Sequence, residues 1–130
     1  MANVEGAYQQ GRMSFDDMTG DWDRAILGDE PDILIQGRKL YEEVDEVFTA
    51  ETNEDMAMEL GDVVNVAISM IHLAGYTLDQ VMLLVDAKNR RNYPPERMNE
   101  LLAQGYTRAD ALNIMKASRN GTVYQYSLPL

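Results

Sequence analysis

Apolar side chains recur along most of the chain at intervals of three and four residues, a spacing that places them on one face of an α-helix. In the second predicted helix these positions are Ile33, Leu40, Val44, Val47 and Phe48. The breaks between such runs carry cap and turn residues, not the alternation and hairpin residues of a sheet. The pattern predicts an all-α protein.

Cap residues predict where the first helices begin and end. Ser14 or Thr19 can open a short first helix, and Gly28 can end it in a left-handed conformation. A second helix is predicted to start at Pro31, because proline suits the first helical turn and the acidic residues 29–30 can cap free N–H groups.

The second helix is expected to run to about Ala50, after which Thr52 recaps the chain. A third helix, from about Glu54 to Ala74, is apolar around most of its circumference beyond Val63. Such a helix needs neighbours on nearly every side, so we expect it to be the most buried helix.

Thr77-Leu78-Asp79-Gln80 has the spacing of a capping box and predicts a fourth helix, which Pro94 limits. Two short helices are predicted beyond it, one closed by Gly105 and one capped by Thr107. Val123-Tyr124-Gln125-Tyr126 is strand-like but has no partner strand, which predicts an extended tail.

These elements predict one domain over residues 1–130, with an antiparallel four-helix core at about 14–95 and a C-terminal extension at about 96–130. A chain of 130 residues leaves much apolar surface uncovered. We therefore expect a symmetric homo-oligomer, a tetramer of two dimers or a dimer, in which a neighbouring chain helps to close the ligand pocket.

The charge balance narrows the possible partners. The chain has 22 acidic and 11 basic residues and a net charge of −11, which disfavours nucleic-acid binding. It has no cysteine, so disulfides and zinc–thiolate sites are excluded and a cytoplasmic location is expected. Polar residues interrupt the longest apolar stretch, 63–74, and no leader is recognisable, so no membrane association is predicted.

Two acidic clusters stand on consecutive predicted helices. They are Glu42-Glu43-Val44-Asp45-Glu46 and Glu59-Leu60-Gly61-Asp62. At 100° per residue, Glu42, Glu43 and Glu46 lie within an arc of about 100° beside the apolar stripe. Glu59 and Asp62 are three residues apart, so their Cβ atoms are roughly 5–6 Å from each other. Like charges bordering a core are costly unless a cation offsets them.

The residue types limit which cation this is. With one histidine and no cysteine, the chain favours a hard, oxygen-seeking ion, Mg²⁺ or Mn²⁺, over zinc or copper. A solvated acidic face is the other interpretation of any single pair of carboxylates. Two clusters beside core-facing positions of consecutive helices favour the metal site.

The acidic residues resemble the motif of the MazG-like all-α nucleoside triphosphate pyrophosphohydrolases, Glu-Glu-x-x-Glu on one helix and Glu-x-x-Asp on the next. All five positions match. The resemblance extends through Gly75, Leu78 and Asn89-Arg90-Arg91-Asn92-Tyr93-Pro94 and covers residues 31–95. It implies an all-α enzyme that uses Mg²⁺ or Mn²⁺ to hydrolyse a ribo- or deoxyribonucleoside triphosphate to the monophosphate and pyrophosphate.

The resemblance also implies roles for single carboxylates. Its metal ligands correspond to Glu43, Glu46, Glu59 and Asp62. Glu42 corresponds to a further carboxylate, which orients or deprotonates the attacking water. The helical geometry of the two clusters agrees with this assignment.

The resemblance also implies substrate contacts near the C-terminal end of the fourth helix. Asn89 matches a substrate-contacting asparagine of the family and falls on the predicted inward face of its helix. Many relatives have lysine where this chain has Asn92, so one phosphate contact of the family is absent. Lys88, Arg90 or Arg91 can replace it, since they cluster within one turn.

Other candidates lie nearer the N-terminus. Arg38 and Lys39, one turn before Glu42, are a second source of positive charge for a polyphosphate. Trp22 can stack on a base, although an indole in a small bundle is more often a core residue. His72 falls opposite the main apolar stripe of its helix, which predicts a surface or interface position.

Two other functional classes share features with this sequence. A di-metal oxidase of the ferritin-like type requires Glu-x-x-His on two helices, and His72 has Ser69 three residues before it. A non-catalytic acidic module, binding nucleotide or mimicking nucleic acid, suits the net charge. Such a mimic needs surface carboxylates and gives no reason for five of them beside a core, so the enzyme is favoured.

Overall fold

The computed structural model describes the backbone of residues 14–28 and 32–127, and side chains as far as residue 118. Every regular element in this part of the chain is an α-helix, which confirms the all-α prediction. The helices are α1 (Phe15–Ile26), α2 (Ile33–Thr49), α3 (Asn53–Leu73), α4 (Leu78–Asn92), α5 (Pro95–Ala103) and α6 (Arg108–Ser127). The chain forms two compact units, Met1–Val81 and Met82–Leu130, and the boundary falls within α4.

Helix α1 begins with a capping box. Ser14 Oγ accepts a hydrogen bond from the Asp17 backbone N at 3.1 Å, and Asp17 Oδ2 accepts one from the Ser14 backbone N at 3.3 Å. Ser14, and not Thr19, therefore opens the helix. Gly28 follows the end of α1 with a φ of +79°, the left-handed region that favours glycine.

Helix α2 is capped by the residue directly before it. Asp32 Oδ1 accepts a hydrogen bond from the Leu34 backbone N at 2.7 Å, so the helix begins at Ile33. The predicted start at Pro31, with the acidic residues 29–30 as caps, lies outside the described residues.

The predicted starts of α3 and α4 are both confirmed by side-chain caps. Thr52 Oγ1 accepts a hydrogen bond from the Asp55 backbone N at 3.0 Å. Gly75, with a φ of +91°, follows the end of α3. Thr77 and Gln80 form the predicted capping box, with N–O distances of 2.9 and 3.2 Å.

Helix α3 is central to the first unit, because it packs along α2 and also contacts α1. Val66, Ile68 and Ser69 are buried, each 3% exposed. Within this unit α3 is thus the most buried helix, as predicted. The apolar stripe of α2 is less covered than expected, since Phe48 is 84% exposed and Val44 37%.

Polar side chains join α1 to α3. Thr19 Oγ1 donates a hydrogen bond to Asn65 Oδ1 at 2.7 Å, and Ser69 Oγ donates one to Asp23. Thr19 is itself buried. Buried hydroxyl and amide groups need such partners, so these bonds fix how α1 lies on α3.

Asp16 of α1 contacts residues on both sides of the turn that follows α3. Its Oδ1 atom lies 2.7 Å from His72 Nε2 and accepts a hydrogen bond from the Leu78 backbone N at 2.7 Å. Burial acts to raise the pKa of Asp16, but the bonds from Leu78 and His72 hold it below its usual value. His72 is half-buried within the unit, with 26% of its side chain exposed, and its surface or interface position stays a prediction.

The second unit has a small core of its own where α5 meets α6. Its buried residues are Leu101, Ala111 and Met115. Tyr93, Met98 and Ile114 are partly buried and pack against them. Apolar side chains spaced by three and four residues on each helix produce this core.

The prediction of an extended tail was wrong. Gly105, with a φ of +98°, follows the end of α5, as predicted. Thr107, whose Oγ1 accepts a hydrogen bond from the Asp110 backbone N at 3.1 Å, caps α6, also as predicted. The helix then continues through residues 123–126 to Ser127, so it has 20 residues and is not short. The β-propensity of these residues is a weak preference, and a helix pairs backbone groups that have no partner strand.

By length and composition alone, α3 could cross a membrane, and it is the one such helix in the described part of the chain. The sequence predicted no membrane-spanning helix. The central helix of a soluble protein passes the same test. Glu59 and Asp62 stand in the N-terminal half of α3, where they face other carboxylates of the chain.

Candidate metal centre

The acidic clusters meet where α2 packs along α3. The short connection of residues 50–52 brings the second half of α2 beside the first half of α3. Glu43 and Glu46, one turn apart on α2, then lie opposite Glu59 of α3. The sequence places each carboxylate on its helix, and the packing of the two helices brings them together.

Three of the predicted metal ligands converge. One carboxylate oxygen from each of Glu43, Glu46 and Glu59 lies within 4.8 Å of the others. Glu43 and Glu59 are half-buried, whereas Glu46 is exposed. Three carboxylate oxygens at this separation could hold a metal ion.

Two carboxylate oxygens of the cluster have no hydrogen-bond partner among the described residues. Glu43 Oε2 and Glu59 Oε2 are both buried, and no donor among the described residues reaches either atom. Buried carboxylate oxygens normally accept a hydrogen bond or bind a cation. These two atoms therefore fit a bound cation better than they fit a closed network of protein hydrogen bonds.

The electrostatics agree with this geometry. Burial raises the pKa of Glu43, as do the neighbouring carboxylates of Glu46 and Asp62, while the Lys39 ammonium acts in the opposite direction. A hydrogen bond between the carboxyl groups of Glu46 and Glu59 raises the pKa of Glu59, and burial and the surrounding charges add to the effect. Both glutamates hold a negative charge at a cost, which a cation would remove.

The two other predicted carboxylates, Asp62 and Glu42, lie outside the converging set. Both are exposed, and neither is among the three converging carboxylates. Asp62 is nevertheless close enough for its charge to raise the pKa of Glu43 and of Glu59. Glu42 neighbours Glu43 in sequence and is exposed to solvent.

Trp22 is not a core residue of the first unit. Its side chain is 44% exposed. The Lys39 ammonium lies over its indole ring, 5.5 Å from the ring centroid. Arg38, the other cation predicted here, is exposed. The structure thus places Trp22 beside a cation, whereas the core position favoured for an indole was wrong.

The remaining predicted contacts belong to the second unit. Lys88, Asn89 and Arg91 are all exposed on the C-terminal half of α4. The predicted inward position of Asn89 was wrong, since its side chain is exposed. Met82, on the same face of α4, is 53% exposed. Arg90 pairs with Asp86 one turn earlier on the same helix, at 3.0 Å.

Two features of the first unit were not predicted from the sequence, the pairing of Asp16 with His72 and the stacking of Lys39 on Trp22. A signal for the first was present. Asn65, Ser69 and His72 lie at i, i+4 and i+7, so they form a polar stripe that predicts a polar neighbour. The Lys39 contact joins two helices and left no local pattern.

Comparison of the chain with protein-family models, with curated proteins and with solved structures finds no match in any of the three. The candidate metal centre therefore stands on the geometry of its own residues.

Proposed function

We propose that this protein is a metal-dependent nucleoside triphosphate pyrophosphohydrolase of the MazG-like type, with Mg²⁺ or Mn²⁺ held by Glu43, Glu46 and Glu59. The convergence of these carboxylates from two helices, with two buried oxygens that have no donor, carries the proposal. The order Glu-Glu-x-x-Glu and Glu-x-x-Asp supports the family and the cleavage position.

The chain's own groups have distinct tasks in this proposal. Glu43, Glu46 and Glu59 bind the cation, and Asp62 completes or extends the ligand set. Glu42, exposed beside them, orients and deprotonates the water that attacks phosphorus. The bound ion would coordinate the triphosphate and stabilise charge on the leaving pyrophosphate.

A panel of ribo- and deoxyribonucleoside triphosphates, incubated with Mg²⁺ or Mn²⁺, tests the activity when products are separated by chromatography. We expect at least one triphosphate to yield its monophosphate and pyrophosphate, and a chelator to abolish the reaction. Orthophosphate or a diphosphate as first product contradicts the assigned cleavage. Nucleotide binding without turnover favours the non-catalytic acidic module instead.

The proposal includes a homo-oligomer built on an antiparallel four-helix core. Leu34, Tyr41 and Phe48 recur every seven residues on α2 and are 73%, 79% and 84% exposed. A seven-residue repeat places them along one stripe of the helix, and an apolar stripe of this kind marks an interaction surface. A second copy of the chain is the occupant we propose, as a dimer or as half of a tetramer.

Light scattering on the purified protein tests the assembly. We expect twice or four times the mass of one chain, and we expect Phe48→Glu to shift the mass towards the monomer because it puts a charge into the stripe. Leu112→Glu, at an exposed position of α6, is the matched control. A wild-type monomer would contradict the oligomer and leave the metal centre unaffected.

A further inference from the structure

Lys39 occupies a position that an ordinary surface lysine does not. Its ammonium lies 5.5 Å from the centroid of the Trp22 ring, so a residue of α2 stacks on a residue of α1. Cation–π attraction holds an ammonium over the indole face and is stronger for tryptophan than for the other aromatic residues. The contact restricts a side chain that is otherwise flexible.

The same ammonium lies beside the candidate metal centre. Lys39 precedes Glu43 by four residues, so both side chains lie on one face of α2. Its charge acts on Glu43 and opposes the effect of the neighbouring carboxylates. Among the described residues, however, Lys39 makes no ion pair within 4.0 Å. The ammonium is thus close to the acidic cluster but forms no ion pair with its carboxylates.

A polyphosphate needs such a cation. The carboxylates of the candidate metal centre repel phosphate oxygens, and a metal ion neutralises only part of the charge of a polyphosphate. Other basic side chains of the first unit are less suited to this task. Arg24 pairs with Asp21 of its own helix, and Arg38 is exposed. Lys39 combines a position over the Trp22 ring with three ammonium donors that form no ion pair among the described residues.

We propose that Lys39 contacts the phosphate chain of the substrate and that Trp22 is a positioning residue, which holds the ammonium beside the acidic cluster. This inference rests on the proposed function. When a divalent cation binds Glu43, the attraction between Glu43 and Lys39 weakens, and phosphate oxygens become the stronger partner for the ammonium. The indole keeps the ammonium nearby while it changes partner.

The chain's single tryptophan makes this testable by fluorescence. The probes are Mg²⁺ alone and then Mg²⁺ with inorganic tripolyphosphate, which has no base that could stack on the ring. In the wild type we expect the emission of Trp22 to change when tripolyphosphate is added. In Lys39→Met the ammonium is missing, so we expect tripolyphosphate to leave the emission unchanged.

Calorimetry measures binding independently of the tryptophan. We expect Lys39→Met to weaken Mg²⁺-tripolyphosphate binding about tenfold or more, since a hydrogen bond to a charged group is lost. Lys39→Arg should restore most of the affinity. Arg24→Met, which removes one positive charge from α1, is the matched control and should bind like the wild type.

Trp22 variants separate positioning from folding. Trp22→Phe keeps an aromatic face and should bind Mg²⁺-tripolyphosphate more tightly than Trp22→Leu, while Mg²⁺ alone binds all variants equally. Wild-type affinity in both Lys39→Met and Trp22→Leu would overturn the inference and leave the proposed function standing. Failure of the wild type to bind Mg²⁺ at all would overturn the proposed function itself.

Discussion

The carboxylates near the two ends of α3 are in opposite situations. Towards its C-terminal end, Asp16 accepts a hydrogen bond from Leu78 and lies beside His72, and its pKa is lowered. Towards its N-terminal end, Glu43 and Glu59 each have a buried oxygen that no donor reaches, and the pKa of each is raised. One helix thus borders both a satisfied and an unsatisfied acidic site.

The difference separates a structural carboxylate from one that is available to a ligand. Asp16 stabilises the fold in its ionised form, because its donors replace the water it has lost. Glu43 and Glu59 cost stability in their ionised form, since their nearest neighbours are other carboxylates. A cation that binds to the folded protein offsets this cost in free energy.

The largest expected effect is on activity, from removing one ligand of the cluster. We expect Glu46→Gln and Glu59→Gln each to lower the rate of triphosphate hydrolysis by about 100-fold or more, since even residues that only orient a metal ligand contribute about 10- to 100-fold. Without metal, both variants should be at least as stable as the wild type, because the amide relieves repulsion.

Asp45→Asn is the matched control for these variants. Asp45 is exposed on α2, directly before Glu46, and does not belong to the converging set. We expect its rate to stay within about twofold of the wild type, as for most exposed substitutions. Equal losses in Asp45→Asn and Glu46→Gln would show that only the general negative field matters.

The next effect is the response of stability to metal and pH. Since the folded-state pKa values of Glu43 and Glu59 are raised above the usual 4.5, this cluster's penalty is present at neutral pH and disappears as pH falls through the raised values. The metal-free Tm should therefore rise as the pH is lowered from 7 towards these raised values. At pH 7, Mg²⁺ at about 100 times its Kd should add about 2.7 kcal/mol.

NaCl at the same ionic strength is the control, because screening of the net negative charge also stabilises an acidic protein. The Mg²⁺ effect should exceed the effect of NaCl at equal ionic strength, and the excess should vanish in a variant carrying both Glu46→Gln and Glu59→Gln. An equal response to both salts would remove the metal centre from consideration.

A smaller effect is expected at the satisfied carboxylate. Asp16→Asn should lower the free energy of unfolding by about 1–3 kcal/mol, because charge-assisted bonds to Leu78 and His72 are lost. Urea denaturation at pH 7 measures it. The lowered pKa of Asp16 means that its contribution is present above the usual 3.8 and lost as pH falls through the lowered value.

Asp21→Asn is the control, since Asp21 is exposed and, in the part of the chain that the structure describes, pairs with Arg24 of the same helix. It should change stability by less than about 0.5 kcal/mol. Mg²⁺ should stabilise Asp16→Asn as much as the wild type. If it does not, the two ends of α3 are coupled, and the division into a structural and a ligand-binding carboxylate fails.

The smallest effect is expected where α1 meets α3 through neutral groups. Thr19→Val keeps the shape of the side chain but leaves Asn65 Oδ1 without its donor, so we expect a loss of about 1 kcal/mol. Urea denaturation measures this too, and Thr49→Val, at an exposed position of α2, is the control. An unchanged stability would mean that water replaces the Thr19 hydroxyl.

Local features of the sequence determined most of the helix boundaries. Ser14, Thr52 and Thr77 cap helices through bonds to residues three positions later, and Gly28 and Gly75 follow helix ends with positive φ. Such contacts span one turn, so the sequence contains all their participants. The same reasoning put Glu43 and Glu46 on one face of α2. It failed for residues 123–126, where propensity is weak and context decides.

Only the tertiary structure decided which side chains from different helices meet. Glu59 joins Glu43 because α3 packs along α2, and Lys39 stacks on Trp22 because α1 and α2 lie in one unit. Helical periodicity gives the direction of each side chain about its own axis, but not the rotation or shift of one helix against another. The burial of single carboxylate oxygens depends on that relative placement, which no local pattern contains.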